Sequence, residues 1–143
     1  MAKIHLDIVT IERNVLSEDV DYISAPALDG IVGILPRHEP LLTALTFGEL
    51  HYNKDGKQFS FAIGGGFMEV RPDKVTVLAD MAEHADEIDE AHAEEARKRA
   101  QELLKEKSRS DTDFAMIEQS LRRAEIRLKV SRRRGRPIET SNQ

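Results

Sequence analysis

With 143 residues, 40% of them hydrophobic and 33% charged, and a formal net charge of −5, the chain suits one domain, or a small domain with an appendage, provided its charges are segregated. The absence of cysteine excludes a disulfide framework, a thiolate nucleophile and a cysteine zinc site, and fits a reducing compartment. No apolar run approaches the roughly 20 residues that span a bilayer, and the first residues lack the layout of a signal peptide, so membrane association is expected only through a partner.

The charges are indeed divided. Residues 1–85 carry 7 Lys and Arg against 13 Asp and Glu, residues 86–143 carry 14 against 13, and residues 120–143 alone hold 8 basic and 2 acidic side chains. Residues 4–11 alternate apolar and polar, which predicts a half-buried strand, and residues 20–23 repeat the pattern weakly. Asp29-Gly30 reads as a tight turn that feeds a short, buried strand over 30–35, and Pro36 ends it because proline donates no ladder hydrogen bond. Residues 41–45 suggest a brief helical turn or loop closed by Gly48. Two strand-like runs, 49–52 and 58–63, then flank Asn53-Lys54-Asp55-Gly56-Lys57, where Asp-Gly can take the two positive φ values of a hairpin turn. Gly64-Gly65-Gly66 is expected to break the second run, 67–70 to resume it, and 75–78 to form a last buried strand. Short strands, regular turns and no intervening helix predict an antiparallel β-sandwich over residues 1–85.

At residue 86 the period changes. No proline or glycine occurs from there to about 108, and Ile88, Ala93, Ala96, Ala100, Leu103 and Leu104 follow helical spacing. A polar link over 108–113 leads to Phe114, Ile117, Leu121, Ala124 and Leu128, a narrow seam at 3-4-3-4 spacing. The prediction for 86–143 is an antiparallel α-helical hairpin with a basic tail. Its alanine-rich stripe buries little area, so the hairpin is expected to be weakly held and able to change its docking.

Enzymatic motifs are absent. Gly30–Gly33 and Gly64–Gly66 are not followed by Lys-Ser/Thr or by a helix pattern, so they read as turns and not as phosphate cradles. The five histidines are scattered without metal-ligand spacing, and no serine or threonine stands in a nucleophile-elbow context. Arg132-Arg133-Arg134-Gly135-Arg136 invites a nucleic-acid reading, but the net acidity, the 5% aromatic content and the lack of a binding motif speak against it. Arg122, Arg123, Arg127, Lys129 and Arg132 to Arg134 project from a helix whose apolar seam is one residue wide per turn. Several of them are therefore expected to stay available to an acidic protein surface.

Several strings together resemble the ε subunit of F-type ATP synthases: Gly33-Ile34-Leu35-Pro36 with His38 and Pro40-Leu41-Leu42, Gly65-Gly66-Phe67 with Glu69-Val70, Val75-Thr76-Val77-Leu78-Ala79-Asp80, and Ile88-Asp89 opening the hairpin. The resemblance covers nearly the whole chain. It implies a non-catalytic subunit at the foot of the central stalk of a proton-translocating synthase, on the cytoplasmic face of a bacterial plasma membrane. The sandwich would bind the γ subunit near His38 and the c-ring through Asp29, Gly30 and Ile31. The hairpin would either fold down on the sandwich or extend along γ into the α/β catalytic head, where Arg122, Arg132, Arg133 and Arg134 would restrain ATP hydrolysis. No cofactor is required, but some members hold one regulatory ATP in the folded-down form. The matching positions here are Glu83, Ile88, Asp89, His92, Arg123 and Arg127, with His92 standing where the family motif has arginine. A histidine lacks the guanidinium fork, so ATP is expected to be held weakly. The alternative is a free-standing adaptor that presents its hairpin to an unrelated acidic partner.

Overall fold

The computed structural model describes residues 2–133. Strands β1 (Ile4–Val9), β2 (Asn14–Val20), β3 (Tyr22–Ala27), β4 (Gly30–Ile34), β5 (Leu41–Lys54), β6 (Lys57–Val70), β7 (Lys74–Ala79) and β8 (Ala82–His84) come first. A 3-10 turn at Ala85–Glu87 follows, then helices α1 (Glu90–Glu106) and α2 (Phe114–Ser131). The hydrogen-bonded order is β2-β1-β7-β6-β5-β3-β4, with β8 added to β6. Every pairing is antiparallel except β1 with β7, which the five intervening strands bring alongside in the same direction.

The period-2 signal translates directly into the core. Ile4, Leu6 and Ile8 are fully buried while their neighbours are only partly covered. They meet Leu50, Phe61, Ile63, Met68, Val75 and Val77 between the layers. Lys54 pairs with Lys57 around Asp55 (φ 53°) and Gly56 (φ 79°), which is the predicted two-residue hairpin turn.

Three local expectations are corrected. The triple glycine bends β6 without ending it. Gly65 and Gly66 have φ of 93° and 123°, and a Cβ on Gly66 would lie 2.0 Å from the Leu78 carbonyl oxygen. Glycine here lets one 14-residue strand turn a corner and serve both layers, pairing with β8 through 61–63 and with β7 through 66–70. Residues 41–45 are strand, neither loop nor helical turn, because β6 offers a continuous ladder partner. Gly48 stays inside β5, where a Cβ would sit 2.5 Å from the Pro26 Cβ. The strand after Asp29-Gly30 is an edge strand, with only Ile34 buried and Ile31 79% exposed.

The helices form the expected hairpin, and α2 is its middle layer: α1 packs on α2, and α2 packs on β5, β6 and the 3-10 turn. Ala93, Ala100, Ala124 and Leu128 are buried. At about 100° per residue, Ile126 and Val130 lie on the opposite side of α2 from Ala124 and Leu128. They enter a second apolar cluster with Ala62, Ala85 and Ile88, flanked by Phe47 and Met81. The seam read from the sequence is thus one of two apolar stripes on this helix.

Candidate functional site

A groove of about 430 Å³ opens between the two helices. His92, Ala96, Arg99, Ala100 and Leu103 line it from α1, spaced so that all fall on one helix face. Ile117, Ser120, Arg123, Ala124 and Arg127 line it from α2. Small alanines keep its floor shallow and apolar, while the arginines supply positive charge at its rim. This combination can take a flat apolar group together with an anion.

The candidate nucleotide residues are only partly gathered there. Arg127 Nη2 donates to Glu83 Oε2 at 3.3 Å, tying α2 to β8. Its Nε lies 2.7 Å from Glu83 Oε1, but off the N–H direction, so that approach is held by charge and not by a directed hydrogen bond. Arg127 Nη1 donates to His92 Nδ1 at 3.3 Å. Arg123 lines the groove beside them. Asp89, by contrast, accepts from the His92 amide at 3.0 Å as the N-cap of α1, and Ile88 is fully buried against the sandwich and α2. Neither of these two lines the groove. Arg99 and Ser120 escaped the sequence reading, although Arg99 sits two turns after His92 and Ser120 one turn before Arg123.

The basic face of α2 is engaged within the chain. The Arg122 guanidinium stacks 5.1 Å from the centre of the Phe47 ring, Arg132 Nε approaches Glu90 at 3.4 Å, and Arg133 reaches both Glu49 oxygens at 3.2 and 3.3 Å. The sequence predicts only that several of the basic side chains of α2 stay available, without saying which. Pairing with residues up to 84 positions away removes that freedom in this docked form. Arg134 lies outside the described residues. Near this latch, burial pushes the His51 imidazole below the usual histidine range. Glu49 opposes the shift and Arg133 adds to it.

The sandwich carries two exposed apolar features. The β3–β4 turn presents Leu28 (67% exposed) and Ile31 around Asp29 and Gly30. On the outer sheet face, Ala44, Phe67, Leu78 and Val9 stand in register across β5, β6, β7 and β1, with Leu42 two residues along. Leu42, Phe67 and Leu78 are each more than half exposed. His38 lies in the loop before this row, with its Nδ1 2.6 Å from the Glu39 carbonyl oxygen.

This arrangement has close counterparts. The family model described as "ATP synthase, Delta/Epsilon chain, beta-sandwich domain" matches residues 3–85, and "ATP synthase, Delta/Epsilon chain, long alpha-helix domain" matches residues 86–132. An ATP synthase epsilon chain of Herpetosiphon aurantiacus is 58% identical over 131 residues, covering 92% of this chain and 96% of the relative. One from Dehalococcoides mccartyi is 52% identical over 134 residues, covering 94% and 96%. A chain in the structure of the Euglena gracilis mitochondrial ATP synthase OSCP/F1/c-ring assembly superposes with a TM-score of 0.78 at 25% identity, covering 92% of this chain and 82% of that one. The Tetrahymena thermophila mitochondrial ATP synthase central stalk/c-ring structure shares the fold at a TM-score of 0.56 and 14% identity, covering 91% and 97%. Both halves of the chain match in order, at more than half identity to relatives aligned almost end to end, and the chain belongs to the ATP synthase delta/epsilon chain family.

Proposed function

We propose that this chain is a non-catalytic rotor subunit of a proton-translocating F-type ATP synthase, held at the cytoplasmic face of a bacterial plasma membrane through its partners. The observation that carries the reading is the apolar row Val9–Leu78–Phe67–Ala44 with Leu42. Exposed apolar side chains on three adjacent strands, Leu42, Phe67 and Leu78, continued by the half-buried Ala44 and Val9, mark a face of a small acidic sandwich built to be covered. The γ subunit covers this row and the neighbouring His38 loop, and the β3–β4 turn at Leu28, Asp29, Gly30 and Ile31 meets the c-ring. Among the described residues no helix is long and apolar enough to cross a membrane.

The hairpin is the regulatory half, residues 86–143, and the sandwich, residues 1–85, is the anchoring half. Docked, the hairpin keeps Arg122, Arg132 and Arg133 on intramolecular partners and offers ATP the groove lined by His92, Arg99, Arg123 and Arg127. Extended, it carries those arginines and Arg134 to acidic surfaces of the catalytic head and restrains ATP hydrolysis. ATP is thus a regulatory ligand that favours the docked form.

Co-purification tests the anchoring claim. A tagged wild-type chain should bring down γ, the c-ring and the catalytic subunits, and Phe67→Asp with Leu78→Asp should lose γ while staying folded by circular dichroism. Cysteines at Asp29 and His38 should cross-link to the c-ring and to γ respectively. Recovery of an unrelated acidic partner in place of γ would favour a free-standing adaptor.

A further inference from the structure

We infer that the groove between α1 and α2 binds its polyphosphate ligand with uptake of a proton by His92, so that acidification strengthens binding. The inference rests on the reading of this groove as a nucleotide site and states how that site is regulated.

The contact between His92 and Arg127 carries the argument. A guanidinium can only donate, so Arg127 Nη1 at 3.3 Å from His92 Nδ1 requires that nitrogen to be unprotonated. A proton on Nδ1 would remove the acceptor and set two cations side by side. Around His92, α1 contributes Arg99 and the capping Asp89, and α2 contributes Arg123 and Arg127. The sandwich contributes Glu83, through Arg127. Arg99 is paired with Glu95 at 3.2 Å and Arg127 with Glu83, while Arg123 has no ion-pair or hydrogen-bond partner among the described residues. With those two pairs counted as neutral, Arg123 leaves one positive charge on the groove lining, Asp89 sets one negative charge against it at the cap beside His92, and a protonated His92 adds a second positive charge to the lining.

A triphosphate seated between the rims changes the balance at His92. Its oxygens accept from Arg127 and Arg123, which separates Arg127 from the imidazole electrostatically, and a protonated His92 then donates to the same anion. Binding therefore favours the protonated ring. Histidine is the side chain whose ordinary charge change falls in the physiological range, whereas an arginine at this position would carry its charge at every pH. The substitution of histidine for a permanent cation turns a fixed phosphate contact into one set by pH. Because His92 is exposed, the added contact is worth about a tenfold gain in affinity, the low end for charge-assisted hydrogen bonds.

The test is isothermal calorimetry of the full chain with ATP, without divalent metal, at pH 6 and pH 8, for wild type, His92→Gln and His92→Arg. The phosphates of ATP titrate as well, so the measured quantity is each protein's ratio of affinities at the two pH values. That contribution is common to all three. The wild-type ratio should exceed the His92→Gln ratio by roughly three- to sixfold, the part of the tenfold gain that an imidazole changing charge between these two pH values can express, and His92→Arg should bind tightly at both pH values with the ratio of His92→Gln. At an intermediate pH, wild type should take up a fraction of a proton, read from the dependence of the heat on buffer ionisation, and neither variant should show that part of the uptake. Equal ratios and equal uptake in wild type and His92→Gln overturn the inference but leave the nucleotide site standing, provided Arg123→Ala weakens binding at both pH values. Absence of ATP binding by wild type and His92→Arg at both pH values overturns the nucleotide reading and the inference with it.

Discussion

Docking of the hairpin depends on the second face of α2, and Ile126→Ala measures how strongly. Ile126 is 9% exposed and packs among Ala62, Ala85, Ile88 and Val130, with Phe47 and Met81 alongside. The substitution deletes three carbons, which at about 0.8 kcal/mol per buried methylene gives about 2.4 kcal/mol before any cavity cost. The site lies between two bodies that can close partly over the gap, so the loss should stay near the low end for core truncations, about 2 kcal/mol. That corresponds to roughly a 30-fold shift of the docking equilibrium towards the released hairpin. Native-state hydrogen exchange followed by mass spectrometry reads this directly. Peptides from 114–131 should exchange about 30-fold faster, while peptides from β6 keep their protection. Met116→Ala, at a position 70% exposed, is the control and should change neither. Unaltered exchange in α2 would refute the claim that this face holds the hairpin down. Equal acceleration in β6 would mean that hairpin and sandwich open as one unit, against the idea of a separable regulatory element.

Two further outcomes follow from the arginine latch and from the strand histidines. Replacing Arg122, Arg132, Arg133 and Arg134 with alanine should raise ATP hydrolysis by the assembled complex, because the charges that would meet the catalytic head are gone. Glu49→Gln with Glu90→Gln, which frees two of the arginines without removing them, should lower it, and rates moving the same way in both variants would sink the scheme. Moderate salt should shrink both effects. In NMR titrations of the isolated chain, His51 should titrate below the ordinary histidine midpoint of about 6.5 and His5 above it. Burial lowers His51, and hydrogen bonds to Asp19 and Asp7 raise His5 against a smaller desolvation cost. His51 therefore contributes stability that is present above about pH 6.5 and lost as pH falls towards its lowered value. His5 contributes stability that is full below about pH 6.5 and lost as pH rises through its raised value. A His51→Gln protein with an unchanged acid limb of stability would show that its burial costs nothing on protonation.

What the amino-acid order determined by itself was local. Asp55-Gly56 sets its own φ values and hence the hairpin between β5 and β6, alternation places Ile4, Leu6 and Ile8 on one side of β1, and the 3-4 spacing from Ile117 to Leu128 produces one helix seam. The likeness of several strings to known ε subunits added the family and the membership of Glu83, His92 and Arg127 in one neighbourhood. Tertiary structure alone decided the rest. The parallel pairing of β1 with β7 and the edge position of β4 depend on which strands arrive beside them. The passage of β6 through three glycines depends on a neighbour, Leu78, so close that no Cβ fits. The second stripe of α2, with Ile126 and Val130, carries too few apolar residues to stand out from a basic helix until Ala62 and Ala85 cover it. The fates of Arg122, Arg127 and Arg133 were equally hidden, because a charged side chain on a helix looks the same in sequence whether it meets water or a carboxylate brought in from a distant strand. Periodicity reports which side of an element is apolar; only the packing of distant segments settles what lies against it.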